Sequence, residues 1–366
     1  MFNNAYKGKK VFVTGHTGFK GGWLCLWLLD LGADVVGFSK DIPTKPAMYE
    51  DADIASKIVD HRGDIRDIEV LEKAILTERP DFIFHLAAQP IVSESYADPM
   101  GTITTNAIGT MNLMEILRKV DWTCSVILIT SDKSYDNVEW VWGYKESDAL
   151  GGRDIYSGSK GAAELIIKSY YYSFFEDKIK NVHLAVARAG NVIGGGDWAK
   201  DRIVVDCMRA WYAGETVEIR CPNATRPWQH VLEPLSGYLA LGESISKSGD
   251  LFGEAFNFGP RAEQNRTVVE LLSDLFEKSD IEAKQVPFKV TDNIPFKESG
   301  LLKLNCDKAL FYLKWEANLA YQDTVQFTAD WYANYFSNAH GIYDFSVDQI
   351  KQYEKMAKQK DYPWAR

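Results

Sequence analysis

Two residues with catalytic potential, Tyr156 and Lys160, stand four positions apart in the segment YSGSK. On a helix this spacing places both side chains on one face. A phenol with a pKa of about 10 is a poor base at neutral pH, but a neighbouring ammonium favours the phenolate. Tyr156 could then take the proton of a hydroxyl group. The spacing alone also occurs by chance on surface helices, so its meaning depends on the residues around it.

A second group of polar residues closes an apolar run. Thr130, Ser131, Asp132 and Lys133 stand at the end of SVILIT, a run typical of a buried strand. Ligands of open α/β sheets bind beyond the carboxyl ends of the strands, so these side chains are predicted to point into a crevice. Polar residues also commonly follow a strand without any functional role. The pairing of Asp132 with Lys133 favours a functional site, because it offers one acid and one base.

A glycine-rich segment follows the first apolar strand and precedes an apolar helix. Its sequence GHTGFKG has the spacing GxxGxxG, which permits a tight turn and lets backbone N–H groups approach a pyrophosphate at the helix N-terminus. A plain tight turn is the alternative. The strand–turn–helix context favours dinucleotide binding, and the residues predicted to take part are Gly15, His16, Thr17, Gly18, Phe19, Lys20 and Gly21.

The sequence leaves the choice between NAD and NADP open. An acidic residue about 20 positions further on, at the end of the second strand, would hold the ribose hydroxyls of NAD. Asp41 comes late for this role, whereas Ser39 and Lys40 could accept a 2′-phosphate. Asp64 and Ile65 follow the third strand, where Asp64 could contact adenine. An equally good interpretation makes Asp64 the N-cap of the next helix.

The elements that position these residues alternate in type along the first half of the chain. Strands are predicted at residues 10–14, 34–38, 81–85, 125–130 and 182–188, and helices at residues 22–31, 68–77, 104–120 and 156–175. The alternation predicts an α/β fold with a doubly wound, parallel Rossmann-type sheet. We expect a dinucleotide-binding domain at residues 1–190, which includes the Tyr–Lys helix. Residues 191–366 are expected to form mainly a smaller substrate-binding lobe, interwoven with the first domain.

Composition and charge exclude several classes of protein. The 366 residues are 46% hydrophobic and 25% charged, as in ordinary globular proteins, and not as in disordered or coiled-coil chains. The net charge of −10 argues against a nucleic-acid or membrane-surface partner. Five scattered cysteines without a CxxC pair suggest neither disulfides nor a zinc site. The polar N-terminal residues lack the apolar core of a signal peptide, and the expected location is cytoplasmic, with no metal and no membrane contact.

Several motifs together resemble the extended short-chain dehydrogenase/reductase family of nucleotide-sugar enzymes. They are GHTGFKG, HLAAQP, TSDK, YSGSK, RAGNVIGGGDW and RPWQHVLEP, and the resemblance weakens only in the C-terminal tail. Most sugar-nucleotide 4,6-dehydratases of this family carry Asp-Glu after the serine or threonine. Asp132-Lys133 is similar to the branch that acts on CDP-glucose. An epimerase needs no such acid–base pair, and a cofactor-binding sensor without activity would not need Ser131, Tyr156 and Lys160.

The resemblance implies a hydro-lyase that converts CDP-D-glucose to CDP-4-keto-6-deoxy-D-glucose for deoxysugar synthesis, with NAD regenerated at each turn. Tyr156 would remove the C4 hydroxyl proton while hydride leaves C4. Lys160 would lower the pKa of Tyr156 and hold the nicotinamide ribose, and Ser131 would hydrogen-bond the C4 oxygen. The C4 ketone acidifies C5, so that water is lost across C5 and C6 before hydride returns to C6.

Family analogy makes Asp132 the acid at the C6 hydroxyl and Lys133 the base at C5. If the two side chains lie close together, their charges favour a deprotonated Asp132 and a protonated Lys133, which is the opposite of an acid Asp132 and a base Lys133. A neutral Lys133 also needs its pKa lowered far below the ordinary value of about 10.4. Two arrangements remain: a dry site with the proton on Asp132, which we favour, or reversed roles with Asp132 as the base.

Further positions are assigned by the resemblance. Cofactor contacts are expected from Leu86, Ala87, Ala88, Gln89, Thr130, Asp64 and Ile65, in addition to the glycine turn, Tyr156 and Lys160. Substrate contacts are expected from Ser131, Asn191, Arg202, Arg226 and His230, although His230 fits a structural role at least as well. Asn106 would brace the site from below. Family members associate through two long helices, here residues 104–120 and 156–175, which implies a homodimer or homotetramer.

Overall fold

The computed structural model describes residues 1–261, 264–279, 281, 286–291 and 301–366. The strands are β1 Lys10–Thr14, β2 Asp34–Ser39, β3 Val59–Arg62, β4 Phe82–His85, β5 Cys124–Ile129, β6 Val182–Ala189, β7 Val192–Ile193, β8 Val217–Ile219, β9 Thr225–Pro227, β10 Gln229–His230, β11 Ala255–Phe258, β12 Asn265–Thr267 and β13 Phe288–Val290. The helices are α1 Phe19–Asp30, α2 Met48–Asp51, α3 Ile68–Glu78, α4 Val92–Ala97, α5 Pro99–Ile103, α6 Gly109–Leu117, α7 Ile155–Tyr170, α8 Ile203–Tyr212, α9 Leu232–Lys247, α10 Val268–Lys278, α11 Asp307–Leu313, α12 Tyr321–Ser337 and α13 Ile342–Gln359.

Seven parallel strands form the central sheet in the order β11-β6-β5-β4-β1-β2-β3. This is the doubly wound parallel sheet that the alternation of elements predicts, and the five predicted strands end within one residue of the observed ones. The edge strand β11 comes from the second half of the chain and pairs with β6. The sheet therefore draws on both of the predicted regions, while the domain boundary at residue 190 stays a prediction.

Both faces of the sheet carry a hydrophobic core, as expected for parallel strands covered by helices. One core includes Trp23, Trp27 and Trp331, and the other includes Leu71 and Leu113. The predicted helix at residues 22–31 begins three residues earlier, at Phe19, because the glycine turn leads directly into it. The predicted helices at 104–120 and 156–175 each contain one wide, π-helical turn, at Thr104–Ile108 and Tyr171–Phe175.

The C-terminal segment, whose role the sequence did not indicate, closes the fold against its beginning. Helix α13 packs on α1, and the Trp27 Nε1 donates a hydrogen bond to Glu354 Oε1 at 2.8 Å. Near the chain end, the rings of Trp364 and Phe2 stack with centroids 5.6 Å apart. In the part of the chain that the structure describes, none of the helices combines the length and apolar character needed to cross a bilayer.

Candidate active site

A cavity of about 1050 Å³ opens at the carboxyl ends of the central strands. It brings together nearly all the residues that the sequence singled out. The predicted residues in its wall are Gly15, Thr17, Gly18, Phe19, Lys20, Gly21, Asp64, Ile65, Leu86, Ala87, Ala88, Gln89, Thr130, Ser131, Asp132, Lys133, Tyr156, Lys160, Asn191, Arg202 and Arg226. Two predicted residues, His16 and His230, do not line it.

The glycine turn between β1 and α1 is shaped by close backbone approaches. Gly15 has a φ of +76°, and a Cβ on this residue would lie 2.7 Å from the backbone nitrogen of Ala87. A Cβ on Gly21 would lie 2.1 Å from the carbonyl oxygen of Gly15. Only glycine fits at these two positions. The first turn of α1 therefore borders the cavity without side chains in the way, which is the geometry that receives a phosphate group.

The side chain of His16 points away from the cavity into the protein. Its ring nitrogens contact Ser39 Oγ at 2.9 Å and Asp60 Oδ1 at 3.0 Å. Burial lowers the pKa of His16 to about 4, against the opposite effect of Asp60, so the ring is neutral at physiological pH. The side chain of His16 therefore ties the glycine turn to β2 and β3, while a cofactor contact of this residue stays a prediction.

Asp64 lies in the cavity wall, paired with Arg66. Arg66 Nη2 donates to Asp64 Oδ2 at 2.6 Å, and this contact is the main cause that lowers the pKa of Asp64. The N-cap of α3 is Asp67, whose Oδ1 accepts from the backbone nitrogen of Val70 at 3.2 Å. The interpretation of Asp64 as the helix cap is therefore wrong.

Tyr156 stands in the first turn of α7, which Asp154 caps by accepting from the backbone nitrogen of Ser157 at 2.9 Å. Burial raises the pKa of Tyr156 to about 12, while the nearby Arg202 and Ser131 act in the opposite direction. The pKa thus lies above its usual value, contrary to the lowering expected from Lys160. Burial also lowers the pKa of Lys160 to about 8.

Ser131 and Asp132 form a tight turn after β5. Ser131 Oγ accepts from the backbone nitrogen of Lys133 at 3.2 Å and donates to Asp132 Oδ1 at 3.0 Å. Asp132 is 5% exposed, and burial raises the pKa of its carboxyl group, with Lys133 and Ser131 opposing. This direction favours the arrangement in which Asp132 carries the proton, while the roles of Asp132 and Lys133 stay predictions.

Asn106 braces the site from below, in the wide helical turn between α5 and α6. It accepts from the backbone nitrogen of Gln89 at 2.8 Å, donates to the Gln89 carbonyl at 3.1 Å and donates to Ser159 Oγ at 2.9 Å. One amide thus links the loop after β4 to the helix that carries Tyr156.

Lys20 lies in the cavity wall beside the glycine turn, and its contact with the cofactor stays a prediction. Its Nζ donates to the hydroxyl of Tyr238 at 3.4 Å, and among the described residues no carboxylate lies within ion-pair distance of it. Burial, reinforced by Arg202 and opposed by Asp132, lowers the pKa of Lys20 from the ordinary 10.5 to about 7. The loop lysine therefore brings a third amine towards Asp132.

We expect the substitution Lys20→Met to stabilise the protein at acidic pH. Between pH 7 and 10.5 the unfolded chain binds more protons at Lys20 than the folded chain does. The destabilisation of the folded state by the buried charge is therefore complete below pH 7 and decreases as the pH rises towards 10.5. The melting temperature measured without added nucleotide should rise by about 2 °C at pH 6, with a smaller gain at pH 9. An equal change at both pH values would contradict this account.

A buried ion pair that the sequence did not indicate supports the ends of β5 and β6. The Arg188 Nε contacts Glu164 Oε1 at 2.8 Å and Oε2 at 2.9 Å, and Thr130 Oγ1 donates to Glu164 Oε1 at 2.6 Å. Arg188 Nη1 also donates to the Tyr135 hydroxyl at 2.6 Å. The predicted cofactor residue Thr130 thus uses its hydroxyl to fix the strand end to α7.

Removal of one member of this pair should destabilise the fold strongly. Arg188→Met would leave Glu164 as a buried, uncompensated charge, a change that typically costs about 3–5 kcal/mol. The double variant Arg188→Met with Glu164→Met should recover most of that loss, because neither charge remains. Urea unfolding of both variants measures this. A single variant within about 1 kcal/mol of the unsubstituted protein would contradict it.

The predicted substrate residues divide into two groups. Asn191, Arg202 and Arg226 line the cavity. Burial raises the pKa of the neighbouring Asp197, and Arg202 opposes this shift. His230 is fully buried and accepts from the backbone nitrogen of Leu232 at 3.3 Å. It packs in the core and is not brought to the cavity, which fits the structural alternative.

Sequence reasoning missed two residues near the reacting groups. Asp197 lies in the wall of the cavity, and its signal was the motif GGGDW in which it stands. Tyr238, on α9, contacts Lys20, but nothing in its local sequence marks it. Among the residues described, no three His, Cys, Asp or Glu side chains are grouped to hold a metal ion.

The sheet, the glycine turn and the Ser131–Tyr156 pair at its edge define an extended short-chain dehydrogenase/reductase. The chain belongs to the GDP-mannose 4,6 dehydratase family, whose model matches residues 12–327. The family resemblance and the fold class inferred from the sequence are thereby confirmed.

The similar proteins include nucleotide-sugar enzymes of several kinds. A CDP-glucose 4,6-dehydratase from Salmonella typhimurium is 45% identical over 332 residues, which cover 90% of this chain and 92% of that protein. A solved epimerase from Methanothermobacter thermautotrophicus has a TM-score of 0.77 and 23% identity, covering 92% of this chain and 97% of that one. The dTDP-glucose 4,6-dehydratase from Bacillus anthracis, solved with NAD, has a TM-score of 0.72 and 20% identity, covering 89% and 96%.

Proposed function

We propose that the protein is a nucleotide-sugar hydro-lyase that converts CDP-D-glucose to CDP-4-keto-6-deoxy-D-glucose and water. The observation that carries the proposal is the meeting of Ser131, Asp132, Lys133 and Tyr156 in the wall of one cavity. The 45% identity to a CDP-glucose 4,6-dehydratase supports the choice of substrate. The buried Asp132 favours a dehydratase over an epimerase, which needs no acid at this place.

The residues present fit NAD as the cofactor. The cradle formed by Gly15 and Gly21, which a Cβ would fill, suits the pyrophosphate at the start of α1. Asp64, where the adenosine is expected, pairs with Arg66, and the dTDP-glucose 4,6-dehydratase of similar fold solved with NAD supports this cofactor. Held there, NAD would supply the hydride acceptor for C4 and the hydride donor for C6, and its positive charge would favour the phenolate of Tyr156.

In the first half of the proposed reaction, Tyr156 takes the proton of the C4 hydroxyl as the C4–H bond breaks. Ser131 donates a hydrogen bond to the C4 oxygen and so holds it against Tyr156. Lys160, one helical turn away, adds positive charge beside the phenolate. The burial of Tyr156 and Ser131 keeps competing water away from these bonds.

In the second half, the C4 ketone acidifies C5, and two neighbouring groups divide the proton transfers. Lys133 takes the C5 proton, and Asp132 gives its proton to the departing C6 hydroxyl, which leaves as water. Lys133 then returns its proton to C5 as C6 becomes a methyl group. The raised pKa of Asp132, caused by burial, supports its assignment as the acid.

The diphosphate of the substrate would lie against the later half of the chain. Arg202 and Arg226 can make charge-assisted hydrogen bonds to it, and Asn191 lines the same cavity. Because the net charge of the protein is −10, an anionic ligand would be recognised by these few local cations and not by the overall charge.

We also propose that the protein assembles as a homodimer or homotetramer through the helices at residues 104–120 and 156–175. Apolar side chains are exposed there, among them Ile108 at 38% and Leu165 at 54%. Their burial against a second copy would remove apolar surface from water. The expected cytoplasmic location stays a prediction.

A nucleotide panel tests the proposed substrate. The purified protein would be incubated with the CDP, dTDP, UDP and GDP esters of glucose, and 4-keto-sugar formation would be followed by the ultraviolet absorbance that develops in alkali. We expect product with CDP-glucose at a rate at least about tenfold above the others, the discrimination that one good base contact provides. Preference for another nucleotide would contradict the substrate assignment.

A further inference from the structure

A second, much smaller cavity shares two residues with the wall of the large one. Asp132 and Gly190 line both, and a Cβ on Gly190 would lie 3.2 Å from Asp132 Oδ2. The volume of this small cavity is about 10 Å³, which is room for about one water molecule. The rest of its wall consists of Pro227, Gln229, Gly259, Pro260, Asn265, Lys303 and Leu304. The carboxyl group assigned as the acid therefore borders a space that fits a single water molecule.

Two of the wall residues carry a buried side-chain oxygen that has no hydrogen-bond partner among the residues described. These atoms are Gln229 Oε1 and Asn265 Oδ1. Gln229 is 1% exposed, and its Nε2 donates to the backbone carbonyl of Phe258 at 3.4 Å. This contact fixes the amide, because a flipped side chain would set two oxygens against each other. Both unpartnered atoms are acceptors, and an ordered water molecule is the usual donor to acceptors that a fold leaves buried.

We propose that one water molecule in the small cavity donates to Gln229 Oε1 and Asn265 Oδ1 and accepts a hydrogen bond from the protonated Asp132. The inference rests on the proposed function, in which Asp132 is the acid. It makes Gln229 and Asn265 positioning residues, which act on the acid through the water.

The count of donors and acceptors explains why this water selects the protonated acid. A water molecule has two hydrogens, and the two amide oxygens engage both. Its lone pairs remain, and they accept from a protonated carboxyl group but not from a carboxylate, which has no hydrogen to give. A hydrogen bond that only the neutral form can make raises the pKa of an acid. The small cavity thus keeps the proton on Asp132 until the C6 hydroxyl takes it.

The charged and titratable groups around Asp132 act on the same proton. They are Lys133, Lys20, Lys303, Tyr156 and Tyr238. Burial raises the pKa of Asp132, while the ammonium groups of Lys133 and Lys20 lower it. Lys303 borders the small cavity, and an ammonium that donated to the water in place of Asp132 would leave the carboxyl group ionised. The protonation state of Asp132 therefore distinguishes the two donors.

The protein with NAD bound and no substrate allows the water and the proton to be observed directly. A crystal structure that shows ordered water should contain one molecule within hydrogen-bond distance of Asp132, Gln229 Oε1 and Asn265 Oδ1. Infrared difference spectra would follow the protonation of Asp132, with the Asp132→Asn protein identifying its carbonyl band. Gln229→Met is similar in size and has no oxygen acceptor, so the water could then donate to the carboxylate. The midpoint of the titration should fall by about one pH unit, the contribution of one hydrogen bond.

A second buried glutamine provides a matched control. Gln349 is 5% exposed, its Nε2 donates to the carbonyl of Phe327 at 2.8 Å, and its Oε1 also lacks a partner among the described residues. It lines neither cavity. Gln349→Met should therefore leave the midpoint for Asp132 unchanged. Asn265→Leu removes the other acceptor and should lower the midpoint as Gln229→Met does, which keeps the test valid where the latter protein fails to fold.

Turnover links the water to the reaction. Above the midpoint, Gln229→Met should turn over CDP-glucose about tenfold more slowly, because one pH unit changes the protonated fraction by the same factor. Its oxidation of CDP-6-deoxy-D-glucose at C4 should be unchanged, since this analogue has no C6 hydroxyl to expel.

Three results would overturn the proposal. They are a dry small cavity, a midpoint for Asp132 in the unsubstituted protein near its ordinary value of about 3.9, and equal shifts in Gln229→Met and Gln349→Met. Failure of the unsubstituted protein to act on CDP-glucose would instead contradict the proposed function, because the crystal structure and the titration do not depend on turnover.

Discussion

Replacement of Tyr156 by phenylalanine should lower kcat by roughly 10³-fold, within the range that one acid–base group contributes. The substitution removes one oxygen from a side chain that is 7% exposed, and it leaves the Asp154 cap of α7 in place. Folding and NAD binding should therefore stay close to those of the unsubstituted protein. Steady-state kinetics with CDP-glucose, together with equilibrium titration of NAD, measure the two effects separately.

A tyrosine elsewhere in the same cavity provides the control for this variant. Tyr332 also lines the wall, but its hydroxyl donates to the backbone carbonyl of Asp197 at 2.7 Å. Tyr332→Phe should change kcat by no more than a few fold. If the Tyr156→Phe protein kept more than about a tenth of the activity, the phenol could not be the group that takes the C4 proton.

Substitutions of Asp132 and Lys133 should stop the reaction at different points. Asp132→Asn cannot give a proton to the leaving hydroxyl, so turnover should fall by about 10²–10³-fold while C4 oxidation and C5 proton removal continue. Lys133→Met should leave C4 oxidation intact and abolish C5 proton removal. In heavy water, deuterium would enter C5 of the bound sugar with the asparagine variant and stay out with the methionine variant.

The two variants also decide between the two protonation arrangements. Deuterium entry with Lys133→Met, and none with Asp132→Asn, would mean that Asp132 is the base and that the favoured assignment is wrong. The pH dependence of elimination provides a further test of the arrangement in which Asp132 is the acid. Because the acid must be protonated, elimination should slow as the pH rises through the pKa of Asp132, which burial has raised.

Local sequence patterns predicted the parts of the site that lie on single elements. The strands of the sheet, the glycine turn and the helix of Tyr156 and Lys160 each follow from spacing within about 20 residues. The observed bounds of β1 are those predicted, and α7 begins one residue early at its Asp154 cap. The hydrophobic periodicity of these elements is strong and is compatible with few other secondary structures.

Contacts between distant segments could not be predicted in the same way. Lys20 contacts Tyr238, which is 218 positions away, and His230 is buried against Trp23 and Phe327. The direction of a side chain at the end of an element depends on what packs there. Motif matching therefore placed His230 near the nucleotide and could not place the amine of Lys20.

The charges at the reacting groups also depend on the fold more than on neighbours in the sequence. The Tyr–Lys spacing predicted that Lys160 would lower the pKa of Tyr156, but in the structure burial dominates and Arg202 is the cation that opposes it. The burial of the phenol depends on segments far from it in the sequence, such as residues 197–206, which line the same cavity. The spacing of four residues between Tyr156 and Lys160 contains no information about how deeply the phenol is buried.

The most direct test of the proposed reaction follows one hydrogen atom. The protein as purified, with NAD bound, would be given CDP-D-glucose labelled with deuterium at C4, and the product would be analysed by mass spectrometry and NMR. We predict one deuterium in the C6 methyl group of each CDP-4-keto-6-deoxy-D-glucose molecule, with none released to solvent. Deuterium retained at C4, or lost to water, would contradict a dehydration in which the hydride leaves C4 and returns at C6.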